Sequence, residues 1–126
     1  MPGNTTNNTS NAHEKEHILK KLNDCLSGHL RNRDLNVDQL ARLMHMSRPT
    51  LYRKIKVITH LTPSELISEA KLKQAAELLA AGEYRAFEVA RMVGYTSQSS
   101  FGKSFLKQFK VTPATYQRMK KMMGAA

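Results

Sequence analysis

Residues 40–63, LARLMHMSRPTLYRKIKVITHLTP, recur later in the chain as residues 89–113, VARMVGYTSQSSFGKSFLKQFKVTP. A shift of 50 positions places Ser47 on Ser97 and aligns the apolar residues that follow, whereas ahead of Ser47 the shift is 49. Self-similarity at a fixed period indicates that one structural unit is used twice. The sequence therefore predicts two copies of one small fold.

Each copy has the outline of a helix-turn-helix. A short helix with a small alanine is followed by a tight turn and by a longer helix with apolar residues at i and i+4, such as Leu51 and Ile55 in the first copy. The alanine lets the two helices approach closely, and the apolar pair anchors the second helix while its other face stays free. We predict a first unit at about residues 36–60 and a second unit at about residues 86–110.

A long helix is predicted between the two units. Thr62-Pro63-Ser64-Glu65 is a strong start signal, because Thr caps the helix, Pro is tolerated at its first position and Glu reaches back to the cap. The helix is expected over about residues 63–81, a length of ~28 Å. Successive major-groove segments on one side of B-DNA lie ~34 Å apart, so a rigid helix of this length could carry one unit to each.

The remaining segments complete an all-α prediction of about seven helices, in which two helix-turn-helix subdomains are joined by a long linker helix. A first amphipathic helix is expected to start near His13, with Asn11 and Glu14 as its cap. Its apolar stripe is predicted at Ile18, Leu22, Leu26 or Cys25, and Leu30. Further helix caps are predicted at Asn36, Ser47, Ser97 and Thr112.

Both ends of the chain are predicted to lack structure. Residues 1–12 are almost all small and polar and have no apolar spacing, which is typical of a disordered tail or linker. Residues 123–126 are also predicted to form a disordered tail.

The charge of the chain is strongly positive and unevenly placed. Twenty Lys and Arg against ten Asp and Glu give a formal net charge of +10. No acid occurs between Gln39 and Ser64 or after Glu88, so the cations concentrate in the two units and the closing helix. Such an excess opposes folding by self-repulsion and favours a polyanionic partner, and its placement on matching units favours phosphate binding.

The stretch HEKEH, residues 13–17, matches the H-E-x-x-H signature of zinc proteases. A zinc protease needs a third ligand and a walled cleft, whereas this stretch lies beside a polar tail and is charged all round. No nucleophile–base pattern or phosphate-cradling glycine loop is present in the sequence. We therefore expect no enzymatic activity, no metal site and no cofactor.

The single cysteine, Cys25, excludes an internal disulfide and favours a reducing compartment. No apolar run approaches the roughly 18 residues of a membrane-spanning helix, and no signal peptide opens the chain. A cytoplasmic location without membrane contact by this domain is expected, and a membrane anchor elsewhere in a longer parent protein stays open.

The stretches LNVDQLARLMHMSRPTLYRKIKVITHLTPSELISEAKLKQAAELL and EVARMVGYTSQSSFGKSFLKQFKVTPATY resemble the AraC/XylS-type DNA-binding domain. The first is similar to the output domains that end hybrid two-component regulators. We assign residues 13–122 to such a domain. The resemblance implies sequence-specific control of transcription, usually activation, by a bacterial protein with a sensor or receiver part upstream. It implies double-stranded DNA and RNA polymerase as partners.

The resemblance also implies which side chains touch DNA. Base contacts carry over to Arg48, Pro49, Tyr52 and Arg53 in the first unit and to Gln98, Ser99, Ser100 and Lys103 in the second. Phosphate contacts are predicted for Ser47, Lys54, Lys56, Ser97, Lys107 and Lys110. Helical periodicity agrees, since the base-reading positions lie away from the apolar anchors. Arg53 can grip guanine O6 and N7 together, and Gln98 can do the same to adenine.

Two positions depart from the family pattern. Pro49 puts a stiff apolar ring where a larger side chain often reads bases, so we expect it to touch at most a thymine methyl. Gly102 either permits close approach to DNA or only weakens its helix. A different class of function also stays open: a basic helical interaction or signalling module that binds an acidic protein partner.

Overall fold

The computed structural model describes residues 2–29 and 35–125, and its regular structure within these ranges is entirely helical. The helices are α1 (Pro2–His29), α2 (Val37–Leu43), α3 (Arg48–Thr59), α4 (Pro63–Ala81), α5 (Ala86–Met92), α6 (Gln98–Phe109) and α7 (Pro113–Ala125). The predicted all-α class is confirmed, with seven helices in the described part of the chain. None of the helices described there is long and apolar enough to cross a bilayer.

The two ends of the chain differ from the prediction. α1 begins at Pro2 rather than near His13, so Asn11 and Glu14 lie inside the helix and do not cap it. α7 continues to Ala125 through the segment predicted as a tail. Local composition favoured disorder there, but extending an existing helix adds a hydrogen bond per residue without a new nucleus. Leu30 lies outside the described residues.

Side-chain caps begin five of the described helices, α2, α3, α4, α6 and α7, as the sequence predicts. Each capping side chain accepts a hydrogen bond from the backbone N–H three residues further on, and such a cap contributes ~0.5–2 kcal/mol. The caps are Asn36, Ser47, Thr62, Ser97 and Thr112. At the start of α4 the Glu65 carboxylate also accepts a hydrogen bond from the Thr62 N–H at 3.1 Å, which completes the predicted capping box.

The turn between the helices of each unit has the same hydrogen bonding in both units. The shared bonds are Met46 N–H to Ala41 O and Tyr95 N–H to Ala90 O, each 2.9 Å. His45 and Gly94 follow the ends of α2 and α5 in the left-handed region, with φ of 56° and 96°. These are the features of a Schellman helix end. The second turn, residues 93–97, is one residue longer than residues 44–47, which explains the change of shift from 49 to 50.

Two apolar cores lie along α4, one for each unit. The first buries the α3 anchors Leu51 and Ile55 together with Ile67 of α4, and α1 covers it with Ile18, Leu22 and Leu26. The second buries the α6 anchors Phe101 and Phe105 against residues of α4 and α5 such as Leu72, Leu79 and Val89. Because each anchored face is fully buried, the opposite face of α3 and of α6 must point outward.

Polar contacts fix both units to α4. Lys71 Nζ donates to the Leu35 carbonyl at 3.0 Å on the side of the first unit. On the side of the second unit the Tyr95 and Ser68 hydroxyls lie 3.1 Å apart, and Gln108 Nε2 donates to the Glu69 carbonyl at 3.3 Å. α7 is held in the same way, since Gln117 Nε2 donates to the Leu79 carbonyl at 3.2 Å. The linker helix therefore holds the two units in one arrangement.

Candidate nucleic-acid interface

The outward face of α3 carries the four side chains predicted to read bases in the first unit. Arg48, Pro49, Tyr52 and Arg53 are all exposed, and Tyr52 keeps 51% of its surface accessible. They lie in the first two turns of α3, whose residues Leu51 and Ile55 are buried. The N-terminal residues of the second helix are the ones that reach base edges in a helix-turn-helix. The structure thus brings these four positions together on one free face.

The outward face of α6 repeats this arrangement. Gln98, Ser99, Ser100 and Lys103 are exposed, and they follow the Ser97 cap at the start of the helix. Gly102, which the shift of 50 places on Tyr52, interrupts this face. A Cβ added to Gly102 would meet no atom within 4 Å, so packing does not require a glycine there.

Two cations of α3 are paired with carboxylates from neighbouring helices. Arg48 Nη1 lies 3.1 Å from Asp38 Oδ1 of α2. Lys54 pairs with Glu14 of α1, and the hydrogen bond from Lys54, followed by its charge, lowers the pKa of the Glu14 carboxyl below its ordinary value. Lys54 was predicted to bind phosphate, so in this arrangement a DNA phosphate would compete with Glu14 for the ammonium group.

One carboxylate at the start of α4 lies within the field of both reading helices. The pKa of Glu65 is lowered by the hydrogen bonds to the backbone and side chain of Thr62, and further by the charges of Lys56 on α3 and Lys107 on α6. Both lysines are exposed and were predicted to contact phosphate. Glu65 and Lys107 line one groove with Leu61, which lies just after α3, so the later turns of α3 and α6 border the same end of α4.

The other predicted phosphate contacts have local roles in the fold. Ser47 and Ser97 cap their helices, and the Ser47 hydroxyl in addition donates to Thr50 Oγ1 at 2.9 Å. Lys110 ends α6 in the left-handed region with φ of 68°, and its Nζ donates to the Lys107 carbonyl at 3.0 Å. All three residues are exposed, so these contacts leave them at the surface of the units.

The HEKEH stretch lies on the exposed surface of α1. His13, Glu14, Glu16 and His17 are all exposed, and Glu14 is engaged by Lys54. Among the residues that the structure describes, no group of three His, Cys, Asp or Glu side chains could hold a metal ion.

Sequence reasoning missed the partners of the α3 cations. Asp38 lies ten positions before Arg48, and Glu14 lies forty before Lys54, so no periodicity within one helix could have indicated either pair. It also missed Val57, an apolar residue on α3 that is 72% exposed. The shift of 50 places Val57 on Lys107. This mismatch between the two copies could have indicated that α3 and α6 differ in charge at this position.

Comparison with known proteins gives consistent matches. Residues 40–119 match a protein family described as “Helix-turn-helix domain”. The chain is 36% identical over 102 residues to “Histidine kinase P4” of Formosa agariphila, which covers 81% of this chain and 7% of that protein. It is 31% identical over 102 residues to “Regulatory protein SoxS” of Salmonella typhimurium, which covers 81% of this chain and 94% of that protein.

A solved structure with the same arrangement contains DNA. The DNA-binding domain of AdpA, described as a global transcriptional factor and determined in complex with a target DNA, superposes with a TM-score of 0.70. It is 26% identical in sequence, and the match covers 82% of this chain and 95% of that one. The match therefore spans nearly all of SoxS and of the solved DNA-binding domain of AdpA, but a small fraction of the kinase.

Proposed function

The chain belongs to the AraC/XylS-type helix-turn-helix DNA-binding domains, and we propose that it reads two adjacent major-groove segments of one duplex with α3 and α6. Its function is sequence-specific binding of double-stranded DNA in transcriptional regulation. The observation that carries the proposal is the exposure of equivalent faces on two reading helices whose opposite faces are buried in separate cores.

The linker helix supports simultaneous reading by both units. α4 spans 19 residues, a length of ~28 Å, against a groove repeat of ~34 Å. Hydrogen bonds hold α4 to its flanking segments: Lys71 donates to Leu35, Gln108 donates to Glu69, and the hydroxyls of Tyr95 and Ser68 bond to each other. These contacts limit the change in spacing between the two reading helices. A duplex that presents its two half-sites at that spacing can engage both without a second protein molecule.

The resemblance to the family divides the side chains into two proposed roles. We assign base reading to Arg48, Pro49, Tyr52 and Arg53 of α3 and to Gln98, Ser99, Ser100 and Lys103 of α6. We assign phosphate contacts to Ser47, Lys56, Ser97, Lys107 and Lys110, and to Lys54 once its pair with Glu14 is broken. Base edges distinguish sequences, whereas phosphates supply affinity that does not depend on sequence.

The wider setting is proposed from the relatives. The matched part of “Histidine kinase P4” is 7% of that protein, so a domain of this kind can be one part of a much longer chain. We infer a bacterial regulator with sensor or receiver parts upstream of residues 13–122, acting in the cytoplasm. Activation through contact with RNA polymerase is the mode of regulation that we propose.

Selection of bound sequences from a pool of random duplexes tests this function. We expect an enriched site with two half-patterns about one helical turn apart. Arg53→Ala should weaken discrimination at one base position by ~1–3 kcal/mol and leave weak general binding intact. Lys20→Ala, which removes a cation from the exposed surface of α1, serves as the charge control and should leave the site pattern unchanged.

Two outcomes would contradict the proposal. The first is the absence of any enriched sequence with the wild-type protein. The second is an affinity for duplex DNA that does not change between about 50 and 200 mM salt, because binding through phosphate contacts must weaken as counterions compete. Either result would favour the other class, in which the basic surface binds an acidic protein.

A further inference from the structure

The ion pair between Asp38 and Arg48 joins the two helices of the first unit at the surface. Arg48 is the first residue of α3, and Asp38 lies in the first turn of α2. Arg48 Nη1 and Asp38 Oδ1 are 3.1 Å apart, and the two side chains keep 63% and 57% of their surface exposed. Exposed pairs of this kind contribute little to the stability of a fold. A contribution to folding stability therefore does not explain why a carboxylate lies on the surface that is proposed to read DNA.

A carboxylate at this place opposes general DNA binding. The stretch from Gln39 to Ser64 contains no acid, so Asp38 is the negative charge at the N-terminal edge of a cationic segment. It repels the phosphates that the surrounding cations attract, on every sequence alike. A group that weakens binding to all DNA increases selectivity if it also strengthens binding to one base.

The pair places a carboxylate beside the guanidinium of Arg48. Arginine carries five N–H donors in a planar fork, and one of its nitrogens, Nη1, lies 3.1 Å from Asp38 Oδ1. The remaining donors stay available to a base edge. Immobilising a long side chain on binding lowers affinity by about two- to tenfold, and a side chain already held in place avoids that loss.

We propose that Asp38 is a specificity-determining residue, which positions Arg48 for one base while it penalises binding to other DNA. This rests on the proposed role of α3 as a reading helix. Asp38 acts through Arg48 and is a positioning residue, and Arg48 makes the base contact, with guanine as the base whose O6 and N7 fit a guanidinium.

The second unit provides an internal comparison. The shift of 49 places Asp38 on Phe87, and the shift of 50 places Arg48 on Gln98. Phe87 is 47% exposed and cannot accept a hydrogen bond from Gln98. Among the described residues, no ion pair involves a cation of α6. A carboxylate beside the first residue of the reading helix is therefore specific to the first unit. Its removal must affect only the DNA half-site that α3 reads.

The experiment is a selection from random duplexes with four proteins: wild type, Asp38→Asn, Arg48→Ala and the double variant. Asp38→Asn keeps the shape of the side chain and removes its charge. We expect the preference for guanine at one position to fall about two- to tenfold in Asp38→Asn, while binding to unrelated duplex becomes tighter. Arg48→Ala should abolish that preference, and adding Asp38→Asn to it should change the preference no further.

Glu77→Gln is the matched control, because it removes the same charge from an exposed position of α4 that makes no ion pair with a described residue. It should not change any base preference. A thermal unfolding scan verifies that the variants are folded. A structural role of Asp38 would lower the unfolding temperature without changing the base pattern.

The outcomes separate the inference from the function on which it rests. If the wild type enriches no site, sequence-specific reading itself is wrong. If a site is enriched but Asp38→Asn leaves its guanine preference unchanged, or weakens all positions equally, Asp38 does not position Arg48. An unchanged pattern in Arg48→Ala would likewise overturn the inference and leave the enriched site standing.

Discussion

The Glu14–Lys54 pair leads to a quantitative prediction about the salt dependence of DNA binding. Glu14 lies on α1 and Lys54 on α3, and their side chains are 48% and 31% exposed. The hydrogen bond and the charge of Lys54 lower the pKa of Glu14, so the carboxylate is ionised at neutral pH and occupies the ammonium group. Replacing Glu14 by Gln should release Lys54 to a DNA phosphate.

The size of the effect follows from counterion release. Each phosphate neutralised by a cation adds about 0.9 to the slope of log affinity against log salt concentration. One additional contact over a fourfold change in salt, from about 50 to 200 mM, makes the loss of affinity about 3.5-fold larger. Glu14→Gln should therefore bind more tightly than the wild type at low salt and show a slope steeper by about 0.9.

The assay is an equilibrium titration of a labelled duplex that carries the selected site, repeated at several salt concentrations. Glu16→Gln is the control, because it removes the same charge from an exposed position of the same helix. Lys54→Gln alone should change the slope little, whereas in the Glu14→Gln background it should return the slope to the wild-type value. Equal slopes for the wild type, Glu14→Gln, Lys54→Gln and the double variant would refute the reasoning and leave the pair with only a bracing role between α1 and α3.

Three further predictions concern the stability of the fold. Gly102→Ala should raise the unfolding free energy by up to about 1 kcal/mol, because alanine favours a helix more than glycine does and the added Cβ meets open space. DNA affinity should stay unchanged, since the equivalent residue of the first unit, Tyr52, is larger. A marked loss of affinity would instead show that DNA approaches this glycine closely. The pKa of Glu65 is lowered by the hydrogen bonds with Thr62 and by the nearby lysines, so its stabilising effect is present above the unfolded glutamate pKa of about 4.3 and is lost as the pH falls towards the folded pKa. In Glu65→Gln, melting temperatures measured from pH 6 downward should lack this part of the decline, and an identical pH profile would contradict the assignment. Phe105→Ala should lower the unfolding free energy by ~3–5 kcal/mol in a urea titration. The Phe105 ring is fully buried, and its centroid lies 4.5 Å from that of the Phe109 ring. A loss below about 1 kcal/mol would exclude Phe105 as an anchor of α6.

The helix boundaries within residues 36–113 were predictable because they depend on local chemistry. The side chains of caps such as Asn36, Ser47 and Thr62 accept a hydrogen bond from the backbone N–H three residues further on. The residue types and their spacing in the sequence are therefore enough to predict the bond. The outward faces of α3 and α6 were predictable in the same way, because burying one helical stripe exposes the opposite one.

The errors at the chain ends had a different origin. The start of α1 at Pro2 and the end of α7 at Ala125 extend helices that already exist, and residue preferences report poorly on such extension. Composition there predicted a tail, because it measures the preference of each residue in isolation from its neighbours.

The sequence by itself determined the repeat, the helix starts, the anchored faces and the concentration of positive charge. These depend on the kinds of residue and on their spacing along one helix. Only the tertiary structure decided which cations remain free, since Asp38 meets Arg48 and Glu14 meets Lys54 across different helices. Such contacts require ångström-scale distances between elements, and those distances are set by how the two cores pack against α4.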